Sequence, residues 1–314
     1  MVFKKMLAAL GVGGPSVDTV LAAPSVQPGG KLTGQVNIKG GDHDTVIEYV
    51  SLGLVTRVEV ESGDSEYSKN MEFHRIHVAG SFTLPAKTTQ SLPFTMDIPW
   101  ETPITSVYGQ HLHGMTMGVH TELSVAKAVD KTDLDPLQIQ PLPVHEAILD
   151  AFLRLGFRFS RADLERGQIY GLHQTLPFYQ EIEFYPSPAY SGRIRQLELT
   201  FVTSPTGIEV VLEFDKRGFL GGSHDSFSRY QVRHDQAANT DWVQVVEGWV
   251  RQAVDKHSSF GGHMPHQGSG HGKPHGRGHG MGGVAAGVAG GVVGGMILGE
   301  VFEDMGGMDM DFDF

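Results

Sequence analysis

Cysteine is missing from all 314 residues, which excludes a disulfide framework, a thiolate nucleophile and any cysteine-ligated zinc or iron–sulfur site. Positive charge is scarce as well: 24 Lys and Arg face 36 Asp and Glu, for a net charge of -12. A phosphate backbone would be repelled, and no basic stripe interleaved with aromatics offsets this, so nucleic acid is not expected as a partner. Phosphate loop, dinucleotide fingerprint, nucleophile elbow and His-Glu-x-x-His are all lacking. No catalytic residue, resident metal or cofactor is therefore expected. Lys4 and Lys5 precede an apolar stretch in the manner of a secretory signal, but Gly11, Gly13, Gly14, Pro15 and Asp18 break it too early. Phe3, Met6, Leu7 and Leu10 instead share one face of a short capping helix, and a cytoplasmic protein is expected.

Beyond Pro15 the dominant period is two, the spacing of a strand with one buried face. Leu32, Val36 and Ile38 alternate with Lys31, Thr33, Gln35 and Lys39; Val50, Leu52, Leu54, Val58 and Val60 alternate with Ser51, Gly53, Arg57 and Glu59. Turn signals such as Pro28-Gly29-Gly30 and Ser62-Gly63-Asp64 separate these runs. One wet face per strand points to antiparallel sheets packed as sandwiches. In the second half, Leu197, Leu199 and Phe201 lead through Ser204-Pro205-Thr206-Gly207 into Val210, Leu212 and Phe214, a hairpin with Glu198 and Glu213 on its wet side. Two helices interrupt the strands. Ala147, Ile148, Ala151, Phe152 and Leu155 recur at helical spacing between Pro143 and Gly156. Trp242, Val245, Val246, Trp249, Val250 and Ala253 form an apolar stripe after Thr240 and Asp241, and the tryptophans are expected to pack in the core.

The stretches Ser16-Val-Asp-Thr-Val-Leu21, Pro28-Gly-Gly-Lys-Leu-Thr-Gly34, Leu92-Pro-Phe-Thr-Met-Asp-Ile-Pro99, Val129-Asp-Lys-Thr-Asp-Leu-Asp135 and Leu176-Pro-Phe-Tyr-Gln-Glu-Ile-Glu-Phe184, taken in order, resemble the bacterial sporulation-control proteins of the SpoOM type, relatives of the arrestins. The resemblance implies an all-β fold of two tandem arrestin-like β-sandwich domains, 1–135 and 136–257. It also implies a non-enzymatic regulatory or scaffold role in bacterial sporulation or cell-cycle progression, exercised through protein partners of unknown identity. A region 258–314 of glycine and histidine, then an apolar glycine-rich segment, then an acidic end, is expected to be disordered.

Several clusters invite a chemical reading. His111 and His113 would share a face on a strand, with His120 close in sequence, so a histidine-metal all-β enzyme is the rival to a binding protein. The next acid, Glu122, is wrongly spaced for it, and an ordinary strand is the expectation. Asp130, Asp133 and Asp135 lack the glycine and distal glutamate of a calcium loop and read as a solvated interdomain hinge. The histidines from His257 to His279 could take up metal opportunistically. Gly283, Gly287, Gly291, Gly295 and Gly299 recur every fourth position in an uncharged stretch, a ridge suited to self-association into a homo-oligomer or, as the lesser alternative, to membrane attachment. A plain linker is the leading reading, since each such glycine opposes a helix by about 1 kcal/mol. At the end, Phe302, Met305, Asp309, Asp311, Phe312, Asp313 and Phe314 mix aromatics, methionine and acids. They form a candidate docking motif for a basic, apolar groove on a partner or on the body itself, with a merely solubilising acidic end as the equal alternative.

Overall fold

The structure, a computed structural model, describes residues 13–62, 65–214 and 227–261, with side chains for all of these except 61, 62, 65, 66 and 256–261. The expected N-terminal helix and the expected tail from residue 262 onward lie outside the described residues.

In the first half, β1 (Ser16–Leu21), β3 (Lys31–Lys39) and β7 (Thr89–Asp97) make an antiparallel sheet in the order β1-β3-β7. It faces a sheet built on β4 (Thr45–Ser62). On one side β4 pairs with β10 (Met117–Val125) and, through it, β11 (Lys131–Pro136); on the other it pairs with β5 (Ser65–Ala79) and β6 (Phe82–Leu84). Leu32, Val36 and Ile38 are buried as their alternation requires, in one core with Leu52, Leu54, Val119 and Leu123. Across the gap, Thr19 Oγ1 and Thr121 Oγ1 lie 2.6 Å apart. The short β2 (Ser25–Val26) pairs in parallel with β12 (Gln138–Ile139), and β8 (Ser106–Val107) pairs with β9 (Gln110–His111).

The expected wet face of β4 is corrected by the structure. Ser51 is buried beside the core residues, because polar side chains lie across the strand there. Arg75 donates to both oxygens of Glu72 at 2.5 and 2.8 Å, to Glu122 at 2.6 Å and to Ser51 at 2.9 Å. Gly53 makes room for this layer, since a Cβ would stand 2.3 Å from Glu72 Oε2. Burial pushes the Glu72 carboxyl upward, but His120 and Arg75 outweigh it and hold the group at about 2.

The expected solvated hinge at Asp130, Asp133 and Asp135 is also corrected. These residues open or lie in β11, an edge strand whose backbone pairs with β10. Two of the carboxylates take up backbone donors: Val125 N–H reaches Asp130 at 2.8 Å and Thr19 N–H reaches Asp133 at 2.6 Å.

The second half continues the large sheet. Strand β13 (Arg158–Arg166) meets β4 through one parallel bridge, Glu165 to Glu59, and is followed by antiparallel β14 (Phe178–Tyr185), β15 (Leu197–Ser204), β16 (Gly207–Glu213) and β17 (Ser228–Arg233). The β15–β16 hairpin has the expected register, with Leu199 opposite Leu212 and the turn closing at Ser204 and Gly207. Glu198, expected in water, is buried, and Phe201 is only half-buried.

Helix α1 (Pro143–Arg154) ends at Gly156, whose φ of 86° and the Phe157 N–H to Phe152 carbonyl bond of 3.1 Å make a left-handed C-terminal cap. Phe152 stacks on Phe184 with ring centroids 5.3 Å apart, which fixes the helix on the sheet. Helix α2 (Trp242–Gly261) runs beyond the expected end near His257. Asp241 caps it by accepting from Gln244 N–H at 3.2 Å. Trp242 is buried and Trp249 stacks on Tyr230 at 4.6 Å.

Candidate functional site

His111 and His113 do not share a strand face: β9 ends at His111 and a turn at Gly114, φ 92°, follows. His111 Nε2 sits 2.8 Å from the Met115 carbonyl, while His120 points to Glu72 at 3.8 Å. The three histidines are not brought together. Neither the glycine ridge from Gly283 to Gly299 nor the docking motif from Phe302 to Phe314 falls within the described residues. Among the described residues, no helix is long and apolar enough to cross a membrane.

Elsewhere the fold builds an open groove, walled by the β8–β9 hairpin, helix α1 and strands β13 and β14. The hairpin turns on Tyr108 and Gly109, both at positive φ (52° and 76°), the pair of angles that matches strand twist in a two-residue loop. A tyrosine in that conformation costs on the order of 1 kcal/mol. The turn presents the Tyr108 ring at the groove mouth, where it remains 52% exposed. From α1, Leu149 and Leu153 lie one turn apart and so on one face; Leu149 is buried and Leu153 is 40% exposed. Val107, Leu112, Phe159, Ile182 and Phe184 complete an apolar surface, with Gln110 and His111 as its polar groups. Burial raises the Tyr108 hydroxyl first, and the Asp150 and Glu146 carboxylates of α1 raise it further. Such a concave apolar surface with a few polar groups suits an apolar side chain from a peptide or protein.

A second feature escaped the sequence reading. Glu59 faces Glu165, Asp163 faces Glu181, Glu183 faces Glu198 and Glu198 faces Glu213. Directly opposed residues share a sheet face, so seven carboxylates form one row across five strands. Arg161 reaches Asp163 and Glu183, each at 3.1 Å. Oxygens of Asp163, Glu165 and Glu181 lie within 4.8 Å of one another, and each of these residues has further interactions of its own. The hairpin pair Glu198 and Glu213 is local, but the rest of the row was hidden because β4, β13 and β14 join it by pairings that no local pattern marks. A third feature is His145 of α1, which accepts from Leu142 N–H at 3.2 Å, meets Thr203 Oγ1 at 3.0 Å and stacks on Phe201. Burial, with His234 adding to it, pushes this imidazole down to about 3.

A family model described as SpoOM protein matches residues 3–218. Over 263 residues the chain is 35% identical to the sporulation-control protein Spo0M of Bacillus subtilis (strain 168), which takes in 82% of this chain and 98% of that relative. The crystal structure of Spo0M from Bacillus subtilis is similar at a TM-score of 0.68 and 30% identity, over 78% of this chain and 99% of that one.

Proposed function

The chain belongs to the SpoOM protein family and has its arrestin-like β-sandwich fold, and we propose that it is a non-enzymatic regulator of bacterial sporulation that works in the cytoplasm by binding a protein partner. The regulatory part of this reading is supported by the relative's description as a sporulation-control protein. The binding part is supported by the groove between the β8–β9 hairpin and α1, where Tyr108 and Leu153 stand exposed beside a buried apolar floor. A well-packed sheet offers little reason to leave a leucine and a tyrosine facing water at one concave spot unless something covers them.

The test is genetic and biochemical together. Leu153→Asp places a charge at an exposed position, so the fold and the cellular level of the protein should be unchanged. In the source bacterium, an allele carrying this change should reproduce the sporulation phenotype of the deletion. A wild-type phenotype for Leu153→Asp, with normal protein level, overturns the groove as the working surface.

A further inference from the structure

We infer that the groove is the intramolecular docking site of this chain's own acidic, aromatic end, residues 302–314, which thereby competes with any external occupant. The inference rests on the groove being a protein-docking surface. It concerns which segment fills that surface when no partner does.

The contacts of α2 connect its last described side chain to the end of α1. Asp255, near its end, pairs with Arg193 at 2.6 Å. In the same loop Tyr190 stacks on Phe157 at 5.9 Å, and Phe157 touches Phe152 of α1. Leu153, the next residue along that helix, lines the groove. Asp255 is thus linked through this loop to the C-terminal end of α1. About 40 residues separate Gly261 from Phe302, giving a root-mean-square span of about 35 Å for a glycine-rich chain. A body of about 250 residues has a radius of gyration of only about 18 Å. Reach is no obstacle, and tethering keeps the end at high effective concentration.

Chemistry agrees with geometry. Phe302, Met305, Met308, Met310, Phe312 and Phe314 supply flat and flexible apolar groups to a floor of Leu149, Phe159, Ile182 and Phe184. The acids between them can stay in water. Glu146 and Asp150 lie at the Tyr108 end, as their effect on that hydroxyl shows, and like charge there weakens the docking. A weak, tethered occupant is one that a partner can displace.

The lack of cysteine makes the test clean. A nitroxide is attached to the full-length chain at Gly307→Cys, and methyl signals are read by NMR. Docking predicts that Leu112, Leu149, Leu153 and Ile182 lose at least two-fold more intensity than Val46 and Val129, which are exposed away from the groove. The loss should not depend on protein concentration, and it should vanish in Phe312→Ser/Phe314→Ser. Uniform loss overturns the inference, as does loss seen only between labelled and unlabelled chains, which would make a second copy the occupant. The probe 8-anilino-1-naphthalenesulfonate separates this failure from failure of the groove itself. The tail variant should bind it several-fold more tightly than the native chain, and Leu153→Asp should remove that binding. If Leu153→Asp weakens probe binding equally with and without the tail substitutions, the groove stands and the tail inference falls. If Leu153→Asp has no effect in either background, the groove reading falls with it.

Discussion

Asp135→Asn is expected to stabilise the protein above neutral pH and to change little in acid. Asp135 on β11 faces two other acids, Asp133 of its own strand and Asp18 of β1. Asp133 is satisfied as a carboxylate, since Thr19 N–H reaches one oxygen at 2.6 Å and Leu134 N–H the other at 3.0 Å. Asp135 Oδ2 is buried without a hydrogen-bond partner. Burial first, and then Asp133 and Asp18, raise its carboxyl from 3.8 to about 7. Between those two values the folded chain holds a proton that the unfolded chain has released, so this group's contribution is present in full below 3.8. It is lost as pH rises through 7. At 1.36 kcal/mol per pH unit the gap has a ceiling of about 4 kcal/mol. The residue is only part-buried, so solvent screening reduces this to about 1–2 kcal/mol. Asparagine keeps the shape and cannot ionise. At roughly 2–4 °C per kcal/mol for a body of this size, the variant should melt about 2–8 °C higher at pH 8. At pH 4 it should melt within a degree or so of the parent. Differential scanning calorimetry of the full chain at the two pH values reads both numbers. An equal gain at pH 4 and pH 8, or a loss at pH 8, refutes the carboxyl–carboxylate account of β11.

Buried neutral His145, held at about 3, should make stability fall as the pH drops below the unfolded value of 6.5, by up to about 1.4 kcal/mol per pH unit. His145→Asn should flatten that part of a urea-midpoint profile, and an unchanged slope would contradict the burial of an uncharged imidazole. Leu199→Asp and Leu212→Asp, opposite each other on the buried face of the hairpin, should each unfold or aggregate the second half in circular dichroism melts. Survival of either protein with a near-parental melt would mean the register is wrong. Glu198→Lys, a surface change by alternation alone, should cost about 1–3 kcal/mol, because a longer side chain must enter a buried row between Glu183 and Glu213.

Alternation along the chain was enough to place one face of most strands. Leu32, Val36 and Ile38 had to be inside, and Ser204 to Gly207 had to turn, because a pleat sends successive side chains to opposite faces and a hairpin register follows from its turn. The same local logic placed α1 between Pro143 and Gly156 and the tryptophan stripe of α2, since helical periodicity and end signals are written within a few residues of each other. Alternation is silent about what covers the second face. Ser51 and Glu198 looked wet because their own strands said so, and they are buried because Arg75, Glu72 and the opposing acids arrive from other strands. Asp130 to Asp135 read as a hinge because their acids hid a short hairpin with β10, and because the Thr19 N–H that Asp133 accepts from comes from β1, remote in sequence. The groove was the least legible feature. Tyr108, Leu153 and Phe184 carry no shared pattern, and each is an ordinary apolar residue in its own segment. Only the packing of a helix and a two-residue hairpin on the β13–β14 pair leaves them facing one another across a space that none of them fills.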